Sequence, residues 1–124
     1  VKSLEDACDM WLTRIQVALA YNKRADGRKF LEVRYEDLAR TPEPIIQRVC
    51  TFLELTYEPH MLDFHQNPDK FRGDAARPHL HPMLTQPINT KAIGKWHQFF
   101  APNQQTYIHQ RLGQTLAALG YENE

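Results

Sequence analysis

The chain has 124 residues, the length of one domain. Its 15 basic residues balance its 15 acidic ones, which argues against nucleic acid as a partner and against attachment to membranes through charge. No apolar run approaches the ~20 residues of a membrane span. The two cysteines, Cys8 and Cys50, are too few for a disulfide framework, and their apolar neighbours predict buried free thiols in a reducing compartment.

The first predicted element is a helix from about residue 3 to residue 22. Ser3 and Asp6 resemble a capping box at its start, with Asp in place of the usual Glu or Gln. Apolar residues then recur at the three- and four-residue spacing of one helical face, namely Leu4, Cys8, Trp11, Ile15 and Ala18. Asp26-Gly27 marks the turn that follows this helix.

One strand is predicted, at residues 30–35. Leu31, Val33 and Tyr35 alternate with charged residues, which is the pattern of a strand with unlike faces. A single strand needs neighbours to satisfy its backbone N–H and C=O groups. We therefore predict an α/β fold, mostly helical, in which this strand belongs to a parallel sheet whose other strands lie outside the chain. Residues 1–124 are accordingly expected to form a single domain that is a C-terminal fragment of a larger one.

Further helices are predicted on either side of a proline-rich segment. Thr41 and Pro42 have the residue types of an N-cap and a first helical position. Residues 66–88 contain four prolines and little periodicity, and a segment of this kind is either functional or disordered. The remaining predicted elements are a short helix after Glu58-Pro59, another around Trp96, and a long helix that starts at Pro102 and stops at Gly120.

Two sequence blocks resemble one known family. VRYEDLARTPEPIIQRVCTFLEL at residues 33–55 is followed by QPINTKAIGKW at residues 86–96. In this order and spacing they resemble the C-terminal half of the sulfotransferases, with the best match to the branch of tyrosylprotein sulfotransferases and their bacterial relatives. The resemblance implies a P-loop-like α/β fold that transfers a sulfonate from 3′-phosphoadenosine 5′-phosphosulfate (PAPS) to a hydroxyl group. It also implies that the phosphosulfate loop and the catalytic base precede the region equivalent to Val1, so this chain alone is expected to be inactive.

The resemblance assigns roles at the nucleotide to two residues. Tyr35 corresponds to the family tyrosine beside the adenine, and an aromatic ring at the carboxyl end of a strand faces the crevice where such sheets bind ligands. Lys95 corresponds to a lysine at the phosphosulfate end, where a cation offsets the charge that grows on the bridging oxygen as the sulfonate leaves. Both are therefore expected to bind PAPS, and Lys95 to act in catalysis. The alternatives are a packing role for Tyr35 and a solvated surface position for Lys95.

Three further residues complete the expected cofactor site. Thr90 and Lys91 lie near Lys95 in sequence and can add phosphate contacts, although the family pattern does not mark them and a plain surface position is the alternative. His81 stands where the protein-tyrosine branch has a serine, and a histidine can donate a hydrogen bond to a phosphate or sulfonate oxygen. Trp96 is expected to anchor the loop by burying its indole rather than to stack on a ligand.

The resemblance also sets the expected partners. These are a hydroxyl-bearing acceptor, with a tyrosine peptide as one candidate, and the N-terminal half of the same fold. No metal is expected, because the six histidines and two cysteines show no zinc-type spacing. The expected location is the cytoplasm, or the Golgi lumen for a true tyrosylprotein sulfotransferase. The alternative function is a non-catalytic helical interaction module or a decayed half of a sulfotransferase.

Overall fold

The computed structural model describes residues 3–26, 29–70, 73, 77 and 79–121. The chain divides into two compact units. The terminal unit comprises residues 1–30 and 94–124, and the central unit comprises residues 31–93. Of the predicted site residues, Lys95 belongs to the terminal unit, and Tyr35, His81, Thr90 and Lys91 belong to the central unit. The single-domain organisation stays a prediction.

The described residues form helices of two kinds. The α-helices are α1 (Leu4–Arg24), α2 (Tyr35–Arg40), α3 (Pro42–Phe52), α4 (Trp96–Phe99) and α5 (Pro102–Ala118). The 3-10 helices are Pro59–Gln66, Pro68–Lys70 and Pro82–Thr85. The last two lie within the proline-rich segment, which the sequence predicted to be irregular. Each begins with a proline, because proline suits the first position of a helical turn. No described helix has the length and apolar character needed to cross a membrane.

The helix boundaries follow the predicted signals closely. The Ser3 hydroxyl oxygen accepts a hydrogen bond of 3.0 Å from the backbone N–H of Asp6, so α1 starts at the predicted cap. Pro42 opens α3 as expected, although the Thr41 hydroxyl donates back to the Asp37 carbonyl at 3.0 Å instead of capping α3. Gly120 has a φ of +85°, the left-handed conformation that ends a helix such as α5.

The prediction of a strand at 30–35 is wrong, and with it the α/β class with a parallel sheet. No strand or sheet is present among the described residues. Arg34 is extended, with φ −79° and ψ 136°, so the local β preference is expressed, but no described segment pairs with its neighbours. The Glu32 carbonyl instead accepts a hydrogen bond from the Arg48 guanidinium. Tyr35 begins α2 rather than ending a strand, because the acidic pair after it suits the positive end of a helix dipole.

The core of the terminal unit lies between its two long helices. Cys8 and Leu12 of α1 are buried against Leu112 of α5, with relative exposures of 4%, 8% and 9%. Partly buried side chains that pack against this cluster are Leu4, Trp11, Tyr107, Ile108 and Leu116. Leu4, Cys8 and Trp11 of the predicted apolar face of α1 therefore lie in the packed cluster.

In the central unit, four described helices pack on one another in sequence order. Helix α2 packs on α3, α3 contacts Pro59–Gln66, and Pro59–Gln66 contacts Pro82–Thr85. Its buried residues are Ala39 and Cys50, and the Cys50 Sγ lies 3.8 Å from the Met61 Sδ. Cys8 and Cys50 are both buried free thiols, as the sequence predicted.

Candidate functional site

Tyr35 is held at the start of α2 with half of its side chain in solvent. Its relative exposure is 49%, and it follows Arg34, the extended N-cap residue. The helix that carries it is fixed by a 3.1 Å hydrogen bond from the Leu38 N–H to the Arg34 carbonyl and by its packing on α3. The ring and hydroxyl of Tyr35 are therefore open to a ligand, while the backbone beneath them is anchored.

Thr90 and Lys91 stand on a turn built by Asn89. The Asn89 side-chain oxygen accepts from the Lys91 N–H at 3.1 Å, and the Asn89 amide donates to the Pro87 carbonyl at 3.0 Å. The Ile93 N–H donates to the Thr90 carbonyl at 3.0 Å and closes the turn. Both Thr90 and Lys91 are exposed, so an adjacent hydroxyl and ammonium group face solvent from a backbone that local hydrogen bonds hold in place.

His81 is the N-cap residue of the 3-10 helix Pro82–Thr85, and its side chain is exposed. Its backbone N–H donates to the Arg77 carbonyl at 3.2 Å, and its carbonyl accepts from the Leu84 N–H at 3.1 Å. Because Pro82–Thr85 packs on Pro59–Gln66, the histidine sits on a supported segment of the central unit. Its imidazole is free to meet solvent or a ligand.

Lys95 precedes α4 in the terminal unit and is exposed. Gly94 before it has a φ of +73°, a conformation that glycine adopts at little cost. The Lys95 carbonyl accepts from the N–H groups of Gln98 and Phe99, each at 3.0 Å, so the backbone at the lysine is already helical. The ammonium group thus extends into solvent from the first turn of α4.

Two contacts tie α4 to α5 in the terminal unit. The Trp96 ring lies 4.0 Å from that of His97 and 5.3 Å, edge-on, from that of His109 in α5. The Gln105 side-chain amide donates to the carbonyls of His97 and Phe100, at 2.9 and 2.7 Å. The tryptophan is partly buried and anchors this segment, and the glutamine satisfies two carbonyls that a helix of four residues leaves open.

Three pKa shifts arise at the interface between α1 and α5. Burial, with Asp9 next, raises the pKa of the Cys8 thiol. Burial and then the Glu5 carboxylate raise the pKa of Tyr107 in the same interface. Hydrogen bonding to Asp9 raises the pKa of the Arg111 guanidinium. These shifts follow from the packing and charge pairing of α1 with α5 and mark no separate site.

Within the described part of the chain, no group of three or more potential metal ligands lies together. The five site residues lie on four separate segments. Thr90 and Lys91 share one turn, and Tyr35 and His81 lie elsewhere in the central unit. Lys95 lies on the terminal unit, so its meeting with Tyr35 at one nucleotide stays a prediction.

Comparison with known proteins shows similarity to one family. The model described as the sulfotransferase family matches residues 1–59. Carbohydrate sulfotransferase 2 of Mus musculus is 28% identical over 120 residues, which cover 97% of this chain and 22% of that protein. The chain is therefore similar to the sulfotransferase family.

Two further relatives show the range of proteins to which this chain is similar. A putative protein-tyrosine sulfotransferase of Caenorhabditis briggsae is 28% identical over 120 residues, covering 90% of this chain and 39% of that protein. Carbohydrate sulfotransferase 1 of Danio rerio is 33% identical over 81 residues, covering 65% of this chain and 19% of that protein. The chain thus spans between about a fifth and two fifths of the length of these relatives. No solved structure matches it.

Sequence reasoning missed the residues that support the predicted ones. Asn89 has a local signal. Asparagine is common in turns because its side-chain oxygen can accept from the backbone N–H two residues later, as it does here from Lys91. Gln105 has none, since its partners His97 and Phe100 are defined only once α4 and α5 are in place. Phe99 has the helical spacing that is more typical of a core aromatic, yet it is 81% exposed.

Proposed function

We propose that the full-length protein transfers a sulfonate group from PAPS to a hydroxyl acceptor, and that this chain supplies part of the nucleotide pocket. The observation that carries the proposal concerns residues 86–96, one of the two blocks that resemble the family. Three donors of this block, Thr90, Lys91 and Lys95, have exposed side chains on a backbone fixed by local hydrogen bonds. A cation and a hydroxyl in adjacent positions suit the phosphate and sulfonate oxygens of PAPS.

Tyr35 is the proposed adenine contact. Its ring is about half exposed at the anchored start of α2, so it can lie against a planar base while its hydroxyl bonds a base nitrogen. The role does not require the strand that the sequence predicted, because the helix α2 now fixes the position of the ring. Substitution by phenylalanine keeps the ring and removes the hydroxyl, which separates the two contributions.

Lys91 and Thr90 are the proposed phosphate contacts, with His81 as a further donor. An ammonium group next to a hydroxyl can bind one phosphate through charge and a hydrogen bond together. His81 is exposed and can turn its imidazole to an anionic oxygen. The support for these roles is the exposure and chemistry of the side chains.

The proposed transfer is an in-line displacement at sulfur. The acceptor oxygen forms a bond to sulfur as the bond from sulfur to the bridging phosphate oxygen breaks. The electron pair of the broken bond stays on the phosphate oxygen, which gives adenosine 3′,5′-bisphosphate, and the acceptor proton passes to a base outside these 124 residues. Lys95 would stabilise the charge that develops on the bridging oxygen. Relatives named for carbohydrate and for protein tyrosine both match, so the proposal defines the acceptor by its hydroxyl group.

The test is a transfer assay with the full-length protein. It is incubated with PAPS that carries a labelled sulfonate, together with a tyrosine peptide or a mixture of oligosaccharides, and the label on each acceptor is measured. Transfer to either acceptor, lost on heating the protein beforehand, supports the proposal. A folded protein that transfers nothing and does not bind adenosine 3′,5′-bisphosphate would favour the alternative of a non-catalytic helical interaction module or a decayed sulfotransferase half.

A further inference from the structure

Helix α1 has apolar side chains on two opposite sides. Cys8 and Leu12 pack toward α5, whereas Met10, Val17 and Tyr21 lie on the other side and are 40%, 67% and 50% exposed. A spacing of seven and then four residues keeps these three side chains in one narrow stripe of a helix. Contiguous exposed apolar groups of this kind mark a contact surface, unlike apolar residues that are scattered singly.

Charged residues complete the stripe. Six residues lie within a sector of α1 that is about 80° wide, and we call them the outer face: Asp6, Met10, Arg14, Val17, Tyr21 and Arg24. The charge changes sign along the helix, because the acidic residues stand in the first turn and Lys23 and Arg24 in the last. The outer face therefore has a negative end and a positive end, with the apolar groups between them.

The outer face is self-complementary when a second copy of α1 runs antiparallel to it. A two-fold axis at the level of residues 15 and 16 places Met10 of each copy opposite Tyr21 of the other, because the two lie equally far from that level. A methionine sulfur packs favourably against an aromatic ring. The Tyr21 ring is already oriented by Phe30, whose ring centre lies 6.0 Å away at an interplanar angle of 48°. The largest apolar groups of the outer face thus cover each other across the axis.

The same axis also pairs the charged residues of the outer face. Arg14 comes opposite Val17, where its aliphatic stem can pack while its guanidinium stays in water. Asp6 comes within one residue of the level of Arg24, and both lie on the same edge of the stripe. The acidic end of each helix therefore meets the basic end of the other, and this contact occurs twice in the pair.

We propose that the outer face of α1 joins two copies of this protein as an antiparallel dimer. Charge complementarity selects a second copy over an anionic membrane, which would attract Arg24 but repel Asp6. The outer face extends about 27 Å along one helix, a smaller contact than the roughly 800 Å² per partner of a stable complex. We therefore expect a weak dimer, with a Kd on the order of tens of micromolar. The proposal does not depend on the sulfotransferase function.

The experiment is sedimentation velocity of the full-length protein over a range of concentrations that spans this Kd. Arg24→Asp places a carboxylate opposite Asp6 and should raise the Kd roughly tenfold, because symmetry repeats the change twice in the interface. Asp6→Arg should act alike, and the double variant Asp6→Arg with Arg24→Asp should restore the original Kd to within about threefold. Lys23→Asp is the matched control, since Lys23 is exposed in the same turn but points away from the outer face. It should leave the Kd unchanged.

Failure of the charge exchange would overturn the inference. A protein that stays monomeric at every concentration has no such dimer. A dimer that Lys23→Asp weakens as much as Arg24→Asp, or that the double variant does not restore, is formed through another surface. Cosedimentation of a monomer with phosphatidylserine vesicles, lost in Arg24→Asp, would assign the outer face to a membrane instead. Urea unfolding of each variant shows that a changed Kd does not come from an unfolded helix.

Discussion

Lys95 and Phe99 are joined by a backbone hydrogen bond of 3.0 Å from the Phe99 N–H to the Lys95 carbonyl, so the cation and the exposed ring share one face of α4. This relationship depends on the conformation of the residue before the lysine. Gly94 has a φ of +73°, which turns the chain into α4. The backbone at the proposed catalytic lysine therefore depends on the positive φ of Gly94, and a substitution there should disturb it.

Gly94→Ala is predicted to destabilise the protein by about 1 kcal/mol or more, because alanine is strained at positive φ. Crowding is not the reason, since the nearest atom to an added Cβ is the His97 Cδ2 at 4.0 Å. Gly113 is the matched control, because it lies inside α5 with nothing within 4 Å of its Cβ position. Gly113→Ala should stabilise the protein by about 0.5–1 kcal/mol. Urea unfolding of both variants measures the difference, and equal effects would contradict the assigned conformation.

Leu112→Ala is predicted to destabilise the protein by about 2–5 kcal/mol, since it removes buried methyl groups and leaves a cavity between α1 and α5. Val17→Ala, on the exposed side of α1, should change the free energy of unfolding by less than about 0.5 kcal/mol. Both values come from urea unfolding monitored by circular dichroism. Similar losses in the two variants would mean that the described core is wrong.

The ion pair of Asp9 and Arg111 joins α1 to α5 across 102 positions of the sequence, with the Arg111 Nη2 2.6 Å from the Asp9 Oδ1. Both side chains are about half exposed, so solvent screens the pair. A double-mutant cycle with Asp9→Ala and Arg111→Ala should give a coupling of about 1 kcal/mol or less, and less still at high salt. A larger coupling that salt leaves unchanged would contradict a surface pair.

Sequence reasoning recovered α1, α3 and α5 but predicted a strand where the structure has an extended segment leading into α2. The signals for α1, α3 and α5 are local, since Ser3, Pro42 and Gly120 fix boundaries without help from distant residues. The alternation at residues 31–35 is a real local preference, but a strand forms only when a neighbour accepts its hydrogen bonds, and no described segment does so. At Tyr35 the acidic pair that follows favours a helix start instead.

The candidate site was found through family motifs more than through physical pattern. Tyr35 and Lys95 were singled out by the family blocks, and their exposure agrees with a ligand-binding role. The exposure of Phe99 could not be predicted, because helical spacing alone does not distinguish an aromatic residue in the core from one in solvent. Only the fixed position of α4 against α5 places its ring outside.

Stability should fall at alkaline pH in a way that depends on Cys8. Burial and Asp9 raise the pKa of this thiol above its ordinary value of 9.0, so the folded state holds its proton more tightly than the unfolded state. The stabilising contribution is complete below the unfolded pKa and is lost as pH rises through the folded pKa. Urea unfolding from about pH 7 to pH 10 should show a steeper decline for the unsubstituted protein than for Cys8→Ala. Parallel declines would remove Cys8 as the cause.

The central proposal is that Tyr35 and Lys95 each contribute to nucleotide binding in the full-length protein. Calorimetric titration with adenosine 3′,5′-bisphosphate tests it most directly, with Tyr35→Phe, Lys95→Ala and the control Val17→Ala measured beside the unsubstituted protein. We expect the affinity for adenosine 3′,5′-bisphosphate to fall several-fold in Tyr35→Phe and roughly tenfold or more in Lys95→Ala. Val17→Ala should leave this affinity unchanged. Tight binding that survives both site substitutions unaltered would contradict the account.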